Sequence, residues 1–271
     1  MRHPIDEPHQ EFSSILDNSE LMIEVIDSFK AFASKTKPES LPDNEYYESS
    51  SIAYDKAKAT SLGFTVLTGT LLLYIAGQFE QFIKECMKIV ADEYAAKCSV
   101  FTDLPESTQA SLIRLTSEAI LKPTAYNYSK DDIPRLVSQL AATINAKDGL
   151  VEINKDCLVY TDTNMRPDAL SDILKRFEIK DVWKDISKQL SMKTYLGTDN
   201  DVETEKKARE MLNEIMEERN KIAHPSSNPE FPDGGKVKKY LTYLRELSKV
   251  FSELMIHKCL IYKAESFPQN R

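Results

Sequence analysis

The sequence is poor in glycine and histidine and carries no excess of positive charge. Only seven glycines stand among 271 residues, and leucine, lysine, glutamate and alanine are abundant, so a mostly helical chain is expected. The formal net charge of −8 argues against a protein coated in basic surface for indiscriminate nucleic-acid binding. An anionic substrate would therefore have to be bound by a local group of side chains and not by the overall charge of the surface.

Metal ligands and disulfides also find little support. The four histidines form no ligand cluster, so a metal-dependent hydrolase is the least supported class, and we expect neither a metal nor another cofactor. The cysteines lack both the short paired spacings of a zinc site and the density of a disulfide scaffold. They are expected to be buried thiols in a reducing cytosol: Cys86, Cys98, Cys157 and Cys259.

Long hydrophobic runs are missing as well. The amino terminus lacks the apolar run of a secretion signal. The longest apolar stretch, 66–76, contains two threonines and a glycine, and it falls short of the roughly 18 to 20 residues that a bilayer crossing needs. We therefore expect a cytoplasmic protein without a membrane partner.

The apolar periodicity predicts helices along most of the chain. Residues 1–10 are expected to form a frayed start, 12–33 a helix, 36–51 a loop and 56–97 a long central helix. The predicted core face of the first helix consists of Ile15, Met22, Val25, Ile26, Phe29 and Phe32. Three glycines in the central helix, Gly63, Gly69 and Gly77, are expected to permit close approach of a neighbouring helix.

Further helices are predicted downstream, with one ambiguous segment among them. They are expected at Ser107–Leu121, Asp131–Thr143, Pro167–Phe177, Asp181–Leu190, Asp201–Ala223 and Lys236–Lys263. Residues 150–160 contain two short β-prone runs, which indicate either a small β-hairpin or an irregular insertion. The tyrosines Tyr46, Tyr47 and Tyr54 either stack on bases or pack a loop against its domain.

An arginine interrupts an apolar helix stripe near residue 219. The stripe is formed by Met211, Leu212, Ile215 and Ile222. Arg219 lies within it, and a guanidinium on a buried face is costly unless a carboxylate or an anionic ligand accepts its donors. Glu80, between two phenylalanines of the central helix, is the first carboxylate that we propose as its partner.

A second stripe, next to the first, carries Glu217, Asn220 and His224 at a spacing of three and four residues. On an ideal helix the side chains of Arg219 and His224 project about 140° apart. Pro225 has no N–H to donate and disfavours helical geometry before it, so the helix is expected to end there. Freedom at a helix end allows both side chains to reach one groove.

The hexapeptide 219–224 resembles the motif of HEPN-domain ribonucleases, an arginine and a histidine separated by four to six residues, often with asparagine after the arginine. Segments 74–82 and 164–168, and the helix end at Arg176 and Phe177, are similar to the RiboL-PSP-HEPN branch. The resemblance covers about residues 56–262. Residues 1–55 are then an N-terminal extension of a helix and a polar loop, and 263–271 a C-terminal tail.

This resemblance implies an all-α, HEPN-like helical bundle that dimerises, so that two copies of the motif form one metal-independent endoribonuclease site. His224 would act as general base or acid, Arg219 would hold the scissile phosphate, and Asn220 would orient the histidine or donate to the phosphate, with Glu80 and Glu217 in support. The implied products are a 2′,3′-cyclic phosphate and a 5′-hydroxyl. Such proteins are toxins or antiphage defence effectors restrained by an antitoxin or released by infection. Some members carry a tyrosine, a target for nucleotidylation, at the position of Ser226, so that regulatory route is not expected here.

Two alternatives stay open from the sequence. The cluster of Lys236, Lys238, Lys239 and Arg245, with Lys221 nearby, is either a solvated helix face or a phosphate-backbone track. The whole chain is either an RNA-cleaving enzyme or a non-catalytic helical interaction module. In the second case Arg219 makes a structural ion pair and His224 caps a helix C-terminus, where a cation is favoured.

Overall fold

The computed structural model describes residues 2–40, 44–147, 153–224 and 230–262. Within these ranges all regular structure is helical, which confirms the predicted all-α class. The α-helices are α1 Asp6–Ala33, α2 Glu45–Ala59, α3 Ser61–Ala95, α4 Glu106–Leu121, α5 Ile133–Ile144, α6 Lys155–Leu158, α7 Pro167–Lys175, α8 Val182–Ser187, α9 Leu190–Leu196, α10 Asp201–Ala223 and α11 Gly234–Ile261. Three 3-10 turns lie at Phe101–Asp103, Pro123–Tyr126 and Lys130–Asp132. The predicted tail 263–271 lies outside the described residues.

Short polar side chains fix several helix starts by accepting hydrogen bonds from the otherwise unpaired N–H groups of the first turn. Asn44 accepts from the N–H of Tyr47 at 3.2 Å at the start of α2. Asn200 accepts from the N–H of Glu203 at 2.8 Å before α10. Proline opens α7 at its first position, and Gly197 in the left-handed region ends α9.

Helix α1 corrects two expectations. It begins at Asp6, so the segment 1–10 is not frayed: Ile5 is fully buried, and Asp6 accepts from the N–H of His3 at 3.0 Å. The predicted core face is wrong at Met22, Val25, Phe29 and Phe32, which are 39–54% exposed, whereas Ile26 is buried as predicted and Ile15 is half-buried. The buried side chains of the helix include Phe12, Leu16, Ser19, Ile23 and Ile26.

The predicted long helix 56–97 is two helices. The first begins at Glu45, inside the expected loop, and ends at Ala59, and the second runs from Ser61 to Ala95. Thr60 separates them because its hydroxyl donates to the carbonyl of Lys56 at 2.8 Å and competes with the helical backbone pattern. Of the three glycines, Gly69 allows a close approach: a Cβ there would lie 2.4 Å from the Phe231 ring.

The β-hairpin interpretation of 150–160 is wrong for its second run, and residues 150–152 lie outside the described ranges. Residues 155–158 form the short helix α6, where Asn154 accepts from the N–H of Cys157 at 3.2 Å. The half-buried Arg176 donates to the carbonyls of Leu158 and Tyr160 at 2.6 and 2.9 Å. These side-chain bonds occupy backbone groups that a strand pair would use.

The chain is divided into two compact units, each built from segments that are distant in sequence. The first unit comprises Met1–Gln10, Glu80–Asn213 and Glu246–Arg271, and the second comprises Glu11–Phe79 and Glu214–Arg245. In the first unit Leu115, Ala119, Leu136 and Cys157 form a buried cluster. In the second unit Ile26, Ala57 and Phe64 form another, and the rings of Phe12 and Phe79 lie 5.9 Å apart.

By length and composition alone, one helix of the described chain is apolar enough to cross a membrane. It covers Gly63–Ala95 with a mean hydropathy of 1.2, and 44% of that window is buried inside the protein. The core helix of a water-soluble protein meets the same criterion.

Candidate functional site

The end of α10 carries the motif, and it lies in the second unit. The helix begins at Asp201 and ends at Ala223, as predicted from the cap and the following proline. The apolar stripe is also confirmed, since Leu212 and Ile215 are fully buried and Ile222 is 8% exposed. This packing fixes the rotation of α10 about its axis and with it the direction in which the motif residues leave the helix.

Arg219 is half-buried on this packed face. Its Nη1 donates to Oδ1 of Asn220 at 3.2 Å. A guanidinium has donors only, so the amide must present its oxygen to it. Among the described residues of the second unit, no carboxylate lies within ion-pair distance of Arg219. Its positive charge is therefore partly desolvated without an ion pair from that part of the chain.

His224 follows directly after the last helical residue and is exposed. Its backbone N–H still donates to the carbonyl of Asn220 at 3.0 Å, which continues the helical pattern by one residue. The imidazole therefore extends from a defined backbone position into solvent. Asn220 links the motif, because its side chain accepts from Arg219 and its carbonyl accepts from His224.

A carboxylate that sequence reasoning missed, Glu218, lies six residues before His224. The side chain of Glu218 is 13% exposed and accepts from Lys221 at 2.8 Å, with Lys236 at 3.4 Å. Burial opposes ionisation of Glu218, but the hydrogen bond from Lys221 and the charge of Lys236 outweigh it and hold the pKa below its ordinary value. The same pair raises the pKa of Lys221, chiefly through the hydrogen bond to Glu218.

Glu214 and Tyr240 extend this cluster below the motif. The buried hydroxyl of Tyr240 donates to Glu214 at 2.7 Å, and Lys236 lies 3.6 Å from the same carboxylate. Burial raises the pKa of Tyr240, and the bond to Glu214 adds to the effect. The four-residue spacing of Glu214 and Glu218 is the one sequence signal for this acidic pair.

The candidate RNA-binding lysines mostly have carboxylate partners within the second unit. Lys221 and Lys236 pair with Glu218, and Lys238 lies 3.6 Å from Asp27. Arg245 pairs with Asp17 at 2.8 Å and with Glu20 at 3.2 Å. Lys239 is exposed and also has an interaction within the chain. A phosphate-backbone track on these residues would have to compete with these ion pairs.

The two supporting glutamates lie in different surroundings. Glu80 belongs to the first unit and pairs with Lys84 at 2.6 Å, while the Thr161 hydroxyl donates to it at 3.4 Å. Its role as partner of Arg219 stays a prediction. Glu217 is exposed on the second unit beside the motif. Ser226 lies outside the described residues.

The motif residues are not joined by a metal-binding cluster in the described part of the chain. No group of three or more His, Cys, Asp or Glu side chains there is placed to hold a metal ion. The chemistry available at the end of α10 from these residues is thus that of one guanidinium, one amide and one imidazole.

Comparison with known proteins gives one match. The model of the family described as RiboL-PSP-HEPN matches residues 39–257, about four fifths of the chain. No curated protein and no solved structure matches. The matched region contains α2 to α10 and most of α11, including the whole motif at 219–224. The chain therefore belongs to the RiboL-PSP-HEPN family, a HEPN-domain family.

Proposed function

We propose that this protein is a metal-independent endoribonuclease that acts as a homodimer through Arg219, Asn220 and His224. Membership of a HEPN-domain family indicates a nuclease-type or RNA-related function. The observation that carries the proposal is a half-buried arginine without a carboxylate partner among the described residues of its own unit, five residues before an exposed histidine at a helix end. A phosphodiester supplies the anion that such a guanidinium lacks.

The proposed reaction needs a base, an acid and an oxyanion stabiliser. A neutral imidazole takes the proton of the ribose 2′-hydroxyl while the 2′-oxygen forms a bond to phosphorus, and a protonated imidazole donates to the leaving 5′-oxygen as the phosphorus–oxygen bond breaks. Histidine is the side chain most often used for such proton transfers in enzymes. Arg219, held by Asn220, offsets charge on the phosphate oxygens. The products are a 2′,3′-cyclic phosphate and a free 5′-hydroxyl.

A homodimer supplies what one motif lacks. The proposed reaction needs one imidazole as base and one as acid, on opposite sides of the phosphate. One chain offers a single motif histidine. In addition, five residues along a helix place Arg219 and His224 about 7.5 Å apart along the axis and on different sides. Two copies facing one cleft provide two imidazoles and two guanidinium groups.

The exposed apolar side chains of the second unit support this association. On α1, Met22, Val25 and Phe29 recur at spacings of three and four residues and are 42–54% exposed. On α3, Leu67 and Tyr74 are seven residues apart, share one face, and are 52% and 50% exposed. Apolar stripes of this kind on a water-exposed helix are typical of protein–protein interfaces.

Cleavage of RNA by the full chain in the presence of EDTA tests the proposal. We expect His224→Ala to lower the cleavage rate by about 10²- to 10⁴-fold, as removal of a general acid–base group does. Arg219→Ala is expected to be comparably damaging, and Arg219→Lys is expected to recover only part of the rate because it loses the bidentate geometry. The products are checked for cyclic phosphate ends, which resist a 3′-phosphatase until the ring is opened by acid.

The chain offers a matched control for the histidine variant. His257 is likewise exposed but lies on α11 in the first unit, away from the motif in sequence, so His257→Ala is expected to cleave at the wild-type rate. Circular dichroism and sedimentation should show unchanged helicity and association for both histidine variants. Cleavage by His224→Ala at the wild-type rate would remove the assignment.

A non-catalytic interaction module is the second candidate, and the paired lysines and exposed apolar stripes favour it. In that case His224 only stabilises the C-terminus of α10, and its replacement lowers the free energy of unfolding by at most about 1 kcal/mol. The wild-type protein would then bind a partner and turn over no RNA.

For the ribonuclease we also propose a cellular role. It would be a cytoplasmic toxin or antiphage defence effector, restrained by an antitoxin or a defence-system partner.

A further inference from the structure

The second unit contains an aromatic cavity of about 260 Å³ between the end of α1 and the start of α2. Its lining includes four aromatic rings: Phe32, Tyr46, Tyr47 and Tyr54. Pockets for whole small-molecule ligands usually start at about 300 Å³, so this cavity suits one ring of a longer molecule. The family match begins at residue 39, so α1 contributes Phe32 from outside the matched region.

The rings are held in a defined arrangement. Tyr54 is 7% exposed, its hydroxyl donates to the carbonyl of Lys35 at 2.8 Å, and Phe32 packs edge-on against it with centroids 5.5 Å apart. Tyr46 meets Tyr47 edge-on at the same centroid distance and stays 75% exposed. One side of the cavity is therefore fixed, while its outermost ring remains available to a ligand.

Two basic side chains line this cavity. Lys35 and Lys37 are among its described lining residues, none of which is an aspartate or a glutamate, and Lys58 lies 5.7 Å from the centre of the Tyr54 ring. Lys37 also pairs with Asp55 at 3.0 Å, just outside the lining. Two other cavities, both in the first unit, each combine three acidic lining residues with two or three basic ones. In a chain of net charge −8, this cavity is suited to an anionic ligand.

We propose that this aromatic cavity is a subsite for one base of a single-stranded RNA substrate, with Lys35 and Lys37 near the adjoining phosphates. The proposal rests on the proposed ribonuclease function for its substrate. Stacking on an aromatic ring is tolerant of sequence because every base has a π-face, and lysines close by track the backbone. The subsite lies in the same unit as the motif, and it uses residues that the motif chemistry does not.

The test uses the full chain carrying His224→Ala, so that RNA stays intact while its binding is measured by fluorescence anisotropy. Adding Tyr46→Ala is expected to weaken binding of a labelled single-stranded RNA by about ten-fold, within the range found for single stacking contacts. Tyr46→Phe keeps the ring and should restore most of the affinity. Ile52→Ala is the matched truncation: Ile52 is 50% exposed on the same helix and does not line the cavity.

Two further measurements separate stacking from charge. An oligonucleotide that lacks its bases should bind equally to the Tyr46→Ala variant and to its parent, because no ring remains to stack. Lys35→Gln should reduce the slope of the logarithm of affinity against the logarithm of salt concentration by about 0.7, the value for one phosphate contact on a single strand. Equal RNA affinity of the Tyr46→Ala variant and its parent would contradict the proposed subsite. A protein partner would then be the remaining candidate ligand of the cavity.

The outcome separates this proposal from the ribonuclease proposal. In the otherwise wild-type chain, Tyr46→Ala should raise KM more than it lowers kcat, whereas His224→Ala removes turnover. If the wild type cleaves RNA and Tyr46→Ala changes neither KM nor RNA affinity, the subsite is wrong and the nuclease stands. If the wild type cleaves nothing but loses RNA affinity on Tyr46→Ala, the subsite stands and the nuclease is wrong.

Discussion

The two units differ in how completely they cover their apolar side chains. Ten large hydrophobic residues are exposed in the smaller second unit and eight in the larger first unit, among the described residues. All four cysteines are buried in the first unit, where burial raises the pKa of the Cys259 thiol to about 12. The motif and the aromatic cavity lie in the second unit. On the proposed function, we infer that the first unit serves mainly stability and the second recognition.

Hydrophobic content alone does not distinguish the two roles, because both units are rich in leucine, isoleucine and phenylalanine. What differs is where each ring packs. Phe177 in the first unit is 1% exposed and meets the Tyr94 ring at 6.1 Å, whereas Phe29 in the second unit is 42% exposed. Changes to these two phenylalanines therefore provide the most direct test of the comparison.

The largest expected effect is on folding of the first unit. Phe177→Ala should lower the free energy of unfolding by about 3–5 kcal/mol, because it removes a buried ring and leaves a cavity. Phe29→Ala should cost less than about 1 kcal/mol, since much of its ring is already in water. Urea denaturation followed by circular dichroism measures both. Equal losses would show that the α1 stripe is as well packed as the core, and the comparison would fail.

The next effect concerns association. Val25→Glu places a charge in the exposed α1 stripe and should weaken self-association by about ten-fold or more, equivalent to about 1.4 kcal/mol, while secondary structure is retained. Sedimentation equilibrium gives the dimer dissociation constant. Leu190→Glu is the control, because Leu190 is 78% exposed in the first unit. A control variant that dissociates as readily as Val25→Glu would contradict the assignment of the interface to the second unit.

A smaller effect is expected at the polar cluster beneath the motif. Tyr240→Phe removes the hydrogen bond to Glu214 and should lower the free energy of unfolding by about 1 kcal/mol. Because both groups share one interaction, the double variant with Glu214→Ala should lose less than the sum of the single variants. Strict additivity would mean that the 2.7 Å contact contributes nothing.

The smallest effect depends on pH. The folded-state pKa of Glu218 lies below its ordinary value of 4.5, so its stabilisation is present above that value and is lost as pH falls through the lowered pKa. Glu218→Gln should therefore be less stable than the wild type by roughly 1 kcal/mol or less at neutral pH. The two proteins should converge in acid. A difference in the free energy of unfolding that grows on acidification would contradict a lowered pKa of Glu218.

The sequence predicts the helices that have strong local signals and misses those set by tertiary contacts. Asn200 and Pro225 mark the ends of α10, and its predicted bounds are correct. The β-prone run at 157–160 is not a strand: α6 ends at Leu158, and Arg176 donates to the carbonyls of Leu158 and Tyr160, which a strand pair would use. On α1 two apolar stripes run side by side, and periodicity cannot tell which of them is covered.

The candidate site shows the same division. The apolar stripe and the helix end at 219–224 are readable from spacing and proline chemistry. Spacing does not reveal the ion pair of Lys236 with Glu218 or that of Lys238 with Asp27, because each pair joins two different helices. For Tyr46, Tyr47 and Tyr54 the sequence leaves two alternatives, stacking on bases or packing a loop. It does not reveal the aromatic cavity, because the shape of that cavity depends on how α1 ends against α2.

The contact between Gly69 and Phe231 has a consequence for how this protein can change. A methyl group at position 69 would lie 2.4 Å from Cδ1 of Phe231, which stands seven residues beyond His224. The ring of Phe231 thus lies against a part of α3 that carries no side chain. A larger residue at position 69 would displace that ring, so such a change is tolerable only with a smaller residue at position 231.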